Sequence, residues 1–324
     1  MKKIVIDCLG ADKPQEEIAL GAILAKDLPL NFILVGDSDV LSPLLKKHGV
    51  DLSRYKVIDA KKTIENGSDP RLVIRGGEET SVVKAIDYAK GDDCIGLLSA
   101  GNTGAVLIGS IFRIGLVSGL KFPALGCNLV NIHGKYFCLL DCGASLDVAP
   151  EQMIKFARIG SAVASSYYGL PSPRIGLLNV GKEEGKGNTF AKESFKALKE
   201  AGLNFIGNIE GSDILMDKAD VIVCDGFSGN IALKAIESTA MVCRQIVLDE
   251  NKDDTNLLSA SAKIHAMFGY TDLGASIVYG CKKIVMKPHG SSSSKTIAAC
   301  IKIALDMDDK GLVEALETSL REQA

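Results

Sequence analysis

The chain has no tryptophan, and aromatic residues make up only 5% of it. It therefore lacks the stacking platform that bases or sugars need. A dominant charge is missing too: 37 Lys and Arg stand against 40 Asp and Glu, a net charge of −3. No basic patch with interleaved aromatics occurs, so no nucleic-acid partner is expected. No apolar run approaches the roughly 20 residues of a membrane span, and Arg113 interrupts "AVLIGSIFRIGLV". The opening "MKKIVIDCLG" has too short an apolar run before Asp7 for a signal peptide, so a cytoplasmic protein is expected. None of the nine cysteines forms a CxxC pair, which leaves zinc and thioredoxin-like chemistry unsupported. GxGxxG after a strand, GxxxxGK[ST], HExxH and GxSxG are all absent.

What is present is an alternation. Short β-branched runs such as "KIVID" (3–7), "NFILVGD" (31–37), "RYKVIDA" (54–60) and "CIGLLSA" alternate with longer amphipathic stretches. Those stretches predict helices over 15–28, 39–49 and 80–91, the last N-capped by Thr80 or Ser81. The rhythm implies βαβ units and a mostly parallel sheet, an α/β fold with three α/β/α layers. In "ALGCNLVNIHGKYFCLLDCGA" (124–144), two apolar runs flank "NIHG" and predict a β-hairpin with His133 and Gly134 at its turn. Helices are expected at 149–169, 188–202, 230–248 and 294–307, with strands at 174–180, 204–208, 220–226 and 282–288. A surface helix with a frayed tail is expected to close the chain. No repeat, low-complexity segment or clear linker divides it, so residues 1–324 read as one domain.

Four strand ends share one character: "SAGNTG" (99–104), "NVGKEEGKGN" (179–188), "DGFSGN" (225–230) and "KPHGSSSSK" (287–295). Each follows an apolar run and leads into an expected helix. The first amides of a helix lack intrahelical partners and carry partial positive charge, and glycine admits a ligand close to backbone. Such turns hold anions, phosphate above all, and α/β sheets bind ligands beyond the carboxyl ends of their strands. Any one of these turns could equally be an ordinary N-cap. Four together, with Lys182, Lys186, Lys234, Lys287 and Lys295 in or near three of them, point to a phosphoryl or acyl anion held by converging loops. His48, near an expected helix end, reads as a surface residue, His265 as structural, His133 as a turn residue, and His289 as either catalytic or capping. Asp7, Asp12, Asp141, Asp147 and Asp225 fall near strand ends or turns, where some would position lysines or loops.

"SAGNTGA", "FPAL", "LDCGASLD", "GLLNVGKEEGKGN", "NFIGNIEG", "DVIVCDGFSGNIALK" and "KPHGSSSS", in this order, resemble the phosphate acyltransferase family of bacterial phospholipid synthesis. The resemblance runs from about residue 3 to 307. It implies an isocitrate/isopropylmalate dehydrogenase-like fold, a homodimer, and no bound metal or organic cofactor. It implies transfer of a fatty acyl group from acyl carrier protein to inorganic phosphate, giving acyl phosphate. It also implies a helical excursion at about 235–275 that helps dimerise and meet the membrane surface and the carrier.

By resemblance, Lys186, His289 and Asn230 are the expected catalytic residues. Ser99, Asn102, Thr103, Lys182, Asn188, Lys234 and Ser291 are the expected phosphate or acyl-phosphate ligands. The chemistry suits them: phosphate is already anionic near neutral pH and a thiol leaves readily, so positioning and charge stabilisation dominate. Two rivals stand beside this reading. One is a subunit of an amino-acid reductase complex that forms acetyl phosphate and needs a reactive cysteine, Cys142 or Cys8. The other is a non-catalytic acyl-phosphate-binding paralogue.

Overall fold

The computed structural model describes residues 1–250, 254–268 and 275–321. Its contacts gather into two compact units, Met1–Val117 with Gly274–Val313, and Ser118–Leu273 with Glu314–Ala324. Each unit draws on separated stretches of chain, and for that reason no linker is visible in the sequence.

The first unit begins with β1 (Lys3–Asp7), α1 (Gln15–Leu24), β2 (Asn31–Gly36), α2 (Ser38–Lys47), β3 (Tyr55–Asp59), α3 (Ser81–Ala89), β4 (Cys94–Ser99) and α4 (Thr103–Gly109). The second unit supplies β5 (Ala124–Val130), β6 (Tyr136–Leu140), α5 (Pro150–Ser166), β7 (Ile175–Asn179), α6 (Thr189–Glu200), β8 (Phe205–Glu210), β9 (Val221–Val223), α7 (Gly226–Glu250) and α8 (Thr255–Phe268). The chain then returns to the first unit with β10 (Ser276–Tyr279), β11 (Ile284–Lys287) and α9 (Ser294–Asp309), and α10 (Leu312–Arg321) follows.

In the first unit the strands run in the order β3-β2-β1-β4-β11-β10, parallel except for the antiparallel β10–β11 pair. β4 is buried at every position, the unbroken apolar pattern of a parallel strand covered on both faces. α3 lies on β1, β2 and β4, while α9, packed on α1, lies on β4 and β11. In the second unit the order is β5-β6-β9-β7-β8, with β5–β6 as the antiparallel hairpin. Its turn holds Gly134 at φ 75°. The predicted α/β/α class and hairpin are both present.

The register places the functional loops. Asp7 pairs with Ser99 across β1 and β4, and Met286 pairs with Leu98 across β4 and β11. Asp7, Ser99 and Lys287 therefore share one level at the carboxyl ends of these strands. In the second unit Leu140, Val223 and Leu177 are paired in a row, which brings Asp141, Cys224 and Leu178 to the next level.

Several expected boundaries move. α1 ends at Leu24, short of Leu28, which precedes Pro29 and is biased away from helical backbone. Thr80 stands at the α3 N-cap, but its hydroxyl donates to Gly77 O (2.5 Å) instead of capping the helix. After Gly109 the α4 backbone widens into a π turn over Ser110–Ile114 and stops at Gly115, φ 91°. α7 starts at Gly226, so most of "DGFSGN" is the first helical turn and not a loop before residue 230. β10 has no counterpart in the sequence expectation. The closing helix is the expected surface helix, amphipathic, with Leu312, Leu316 and Leu320 buried and Glu314 and Thr318 exposed. Residues 251–253 and 269–274 of the expected excursion, the His265 side chain and the expected frayed tail at 322–324 fall outside the described residues.

Candidate active site

In the first unit three loops meet at the ends of β1, β4 and β11. Ser99 Oγ donates to Asp7 Oδ2 (2.7 Å) and accepts from Gly101 N (3.3 Å), and Leu9 N donates to Asp7 Oδ1 (3.3 Å). Asp7 is fully buried, and burial pushes its carboxyl up to about 6 despite the Ser99 and Leu9 hydrogen bonds and nearby Lys287. Asp12 N donates to Gly290 O (2.9 Å), and a Cβ on Gly290 would lie 2.5 Å from Asp12 Oδ2. The 8–12 and 287–293 loops therefore touch through backbone.

Of the residues expected here, Asn102 is the N-cap of α4. Its Oδ1 accepts from Ala105 N (2.9 Å), and its Nδ2 donates to Glu65 O (3.0 Å). Thr103 opens the helix. Ser291 N donates to His289 Nδ1 (3.2 Å), with the Ser291 hydroxyl 2.8 Å from the same nitrogen. A backbone N–H can only donate, so Nδ1 is the acceptor and the neutral ring carries its proton on Nε2. His289 is exposed and presents that N–H as a donor. Lys287 is buried and its Nζ donates to Pro288 O (2.7 Å).

The second unit is organised by Asp141. Its carboxylate accepts from four backbone amides: Leu125 (3.0 Å), Gly143 (3.1 Å) and Ala144 (3.0 Å) on Oδ1, and Ser145 (2.6 Å) on Oδ2. Burial pushes its pKa up to about 6, the four N–H donors acting in the opposite direction. The 141–145 turn so formed is locked onto α7. Gly226 N donates to Ser145 O (2.9 Å), and Asn230 Nδ2 donates to Cys142 O (3.0 Å). Gly143 has φ 130°, where an L side chain is strained, and a Cβ there would crowd Asn230 Nδ2 at 3.0 Å. The α7 N-terminus is capped by Asp225, which accepts from Ser228 N and Ser228 Oγ (2.8 Å each).

The 179–188 loop is closed by Asn179, whose Oδ1 accepts from Val180 N (2.8 Å) and whose Nδ2 donates to Lys186 O (3.2 Å). Asn188 caps α6 by accepting from Ala191 N (2.8 Å). The five expected lysines differ in what they have left to offer. Lys182 pairs with Asp213 (2.9 Å) and Glu210 (3.6 Å), and Lys234 with Glu237 (2.8 Å). Lys295 is exposed in the first turn of α9. Lys186 is exposed, and among the described residues its Nζ makes no hydrogen bond or ion pair.

Beside this loop lies a feature the sequence did not reveal, a cavity of ≈ 580 Å³ at the carboxyl ends of β7 and β9. Leu177, Val180, Phe190, Ile214, Phe227 and Ile231 are among its walls. They come from four separated segments, so no local pattern marks them. Asn230 does not line it and turns instead to the 142–143 turn.

The two cysteines required by the reductase-subunit rival are unsuited to it. Cys8 and Cys142 are fully buried, and burial raises both thiols above their ordinary range. A reactive cysteine needs the opposite, an accessible thiolate.

Comparison with solved structures defines the class first. The fold is that of the phosphotransacetylases. A phosphotransacetylase from Streptococcus pyogenes matches with a TM-score of 0.61 at 17% identity, covering 95% of this chain and 94% of that one. A branched-chain phosphotransacylase from Enterococcus faecalis matches with a TM-score of 0.62 at 15% identity, covering 94% and 98%. The family follows from sequence. Residues 2–315 match the family described as "Fatty acid synthesis protein", and the chain belongs to it. The phosphate acyltransferase of Lysinibacillus sphaericus is 35% identical over 331 residues, 98% of either chain.

Proposed function

We propose that this chain is a phosphate acyltransferase that moves an acyl group from a thioester to inorganic phosphate. A phosphate oxygen attacks the thioester carbonyl, a C–O bond forms, the C–S bond breaks, and acyl phosphate and a thiol leave. Full-length similarity to phosphate acyltransferases supports the activity. The 179–188 loop carries the reading at residue level, because it holds a lysine, Lys186, that is unpaired among the described residues, in a turn that ends at a capped helix N-terminus. Cation and helix dipole together favour an anion there.

In this reading Lys186 and Asn188 receive the phosphate, and Asn230 acts by holding the 142–143 turn. His289 donates a hydrogen bond from its Nε2–H to the departing sulfur. Ser99, Asn102, Thr103 and Ser291 shape the anion-binding loops, while Lys182 and Lys234 act through field from their ion pairs. The donor is a fatty acyl group on acyl carrier protein, and the working form is a cytoplasmic homodimer with peripheral membrane contact. No helix among the described residues is long and apolar enough to cross a membrane.

The test is thiol release from an acyl-carrier thioester with and without phosphate. Release that requires phosphate supports the reading. No release from a folded protein that still binds phosphate makes the chain a non-catalytic binder.

A further inference from the structure

We infer that the cavity beside the 179–188 loop is the seat of the alkyl chain of the acyl group, with the phosphoryl end at its rim. The inference rests on the acyl-transfer reading above and adds the location of the chain-binding site.

Three observations carry it. The first is chemical: the walls are built from Leu177, Val180, Phe190, Ile214, Phe227 and Ile231, while polar side chains such as Asn179, Asn188 and Ser228 also border the cavity. A largely apolar pocket with a few placed polar groups, in a volume range of roughly 300–1,000 Å³, is the usual form of a small-molecule site. The second is exposure. Val180 is 82% exposed, Phe227 60% and Ile231 55%. Three large apolar side chains left open around one concavity are unfavourable in water unless something covers them. The third is charge. Lys186 lies in the loop whose Gly187 and Asn188 line the cavity, and the 12-residue α6 starts there. The Asp225 carboxylate also lines the cavity, but it is already bound by Ser228 N and Oγ at the head of α7. A ligand with an alkyl tail and an anionic head matches apolar walls next to a free cation and a positive helix end. A neutral hydrocarbon would leave Lys186 unused, and free phosphate would leave the apolar walls uncovered.

The probe is a series of n-alkylphosphonates from butyl to decyl, which carry the head group but no transferable acyl group. Their binding to the intact protein is measured by calorimetry below their micelle concentrations. Affinity should rise by up to about fourfold per added methylene, from the transfer free energy of one CH₂. Between butyl- and decylphosphonate the gain should exceed 100-fold. Ala232→Phe fills the cavity from α7, and Ile231→Asn makes its wall polar. Each should weaken decylphosphonate at least tenfold while circular dichroism and melting temperature confirm folding. Affinity that is flat along the series, or variants that bind decylphosphonate as tightly as wild type, would overturn the inference. So would a cavity closed by a second copy of the chain, seen as decylphosphonate binding only when sedimentation shows monomer. Thiol release dependent on phosphate, measured on the same preparation, separates failure of this site from failure of the acyl-transfer reading.

Discussion

Replacing Asp141 in two ways separates its charge from its role as an acceptor. Its pKa of about 6, against an ordinary 3.8, means that folding disfavours the ionised form relative to the protonated form by about 3 kcal/mol. Alanine removes that cost but orphans four backbone N–H groups. At about 1–2 kcal/mol for each unsatisfied donor, the net loss is about 3 kcal/mol. Asparagine is different. Leu125, Gly143 and Ala144 all donate to Oδ1 and only Ser145 to Oδ2, so an amide oxygen in the Oδ1 position keeps three of the four. The lost bond from Ser145, roughly 2–3 kcal/mol for a charged acceptor, nearly cancels the relief of the charge. Asp141→Asn should therefore unfold in urea at pH 7.5 within about 1 kcal/mol of wild type, and Asp141→Ala about 3 kcal/mol earlier.

The pH dependence has a definite sign. The folded state binds the Asp141 proton more tightly than the unfolded state, so the native protein holds more protons between about pH 4 and 6. The Asp141 contribution to stability thus falls as pH rises through that window. Asparagine does not titrate there. Acidification from pH 7.5 to about 4 should shift the wild-type-minus-Asn difference toward wild type by up to about 3 kcal/mol. An asparagine variant as unstable as alanine, or a difference that stays flat with pH, would refute the reasoning.

Other expectations follow from the same geometry. Lys186→Ala should lower kcat/KM for phosphate-dependent thiol release by about 10²–10³, the typical loss of one oxyanion-stabilising donor. His289→Ala should lower turnover most with the poorest thiol leaving groups, and near-normal kinetics for both variants would remove these residues from the mechanism. Gly226→Ala places a Cβ 2.7 Å from Ser145 O and 2.8 Å from Asp141 Oδ2, both in a fixed turn. It should cost about 1–3 kcal/mol in a urea titration, and a neutral effect would show the turn to be slack. Iodoacetamide on the native protein should label Cys243 alone, since the other eight thiols are buried. Mass spectrometry showing early modification of Cys8 or Cys142 would revive the reductase-subunit reading.

The sequence revealed most of the fold because parallel strands buried on both faces read as unbroken apolar runs. "CIGLLS" and "KIVID" are plain examples. It failed where the signal was short or masked by another. "SIVY" has four residues, too short a run to stand out as a strand of its own beside β11. The α7 start was hidden because Gly226, Ser228 and Gly229 look like a loop. The cap of Ser228 N by Asp225, an Asp-x-x-Ser spacing, is the signal that marks it. At the candidate site the sequence marked the strand ends rich in Gly, Ser and Asn, but it could not separate a ligand loop from an ordinary N-cap, the position that Asn102 and Asn188 occupy. It could not distinguish a free lysine from a paired one. Lys182 and Lys234 meet carboxylates, Lys287 is buried, and only three-dimensional neighbours reveal this. Asp7 and Asp141 stood out at strand ends, but their role of holding turns through backbone N–H groups depends on burial that sequence does not display.

The measurement closest to the central claim follows both products at once. Acyl-carrier thioester and phosphate are mixed with the protein, free thiol is titrated, and the new phosphorus species is followed by ³¹P NMR. The account predicts one acyl phosphate for every thiol released, with neither formed when phosphate is omitted. Thiol released without acyl phosphate, or at the same rate in phosphate-free buffer, would contradict it.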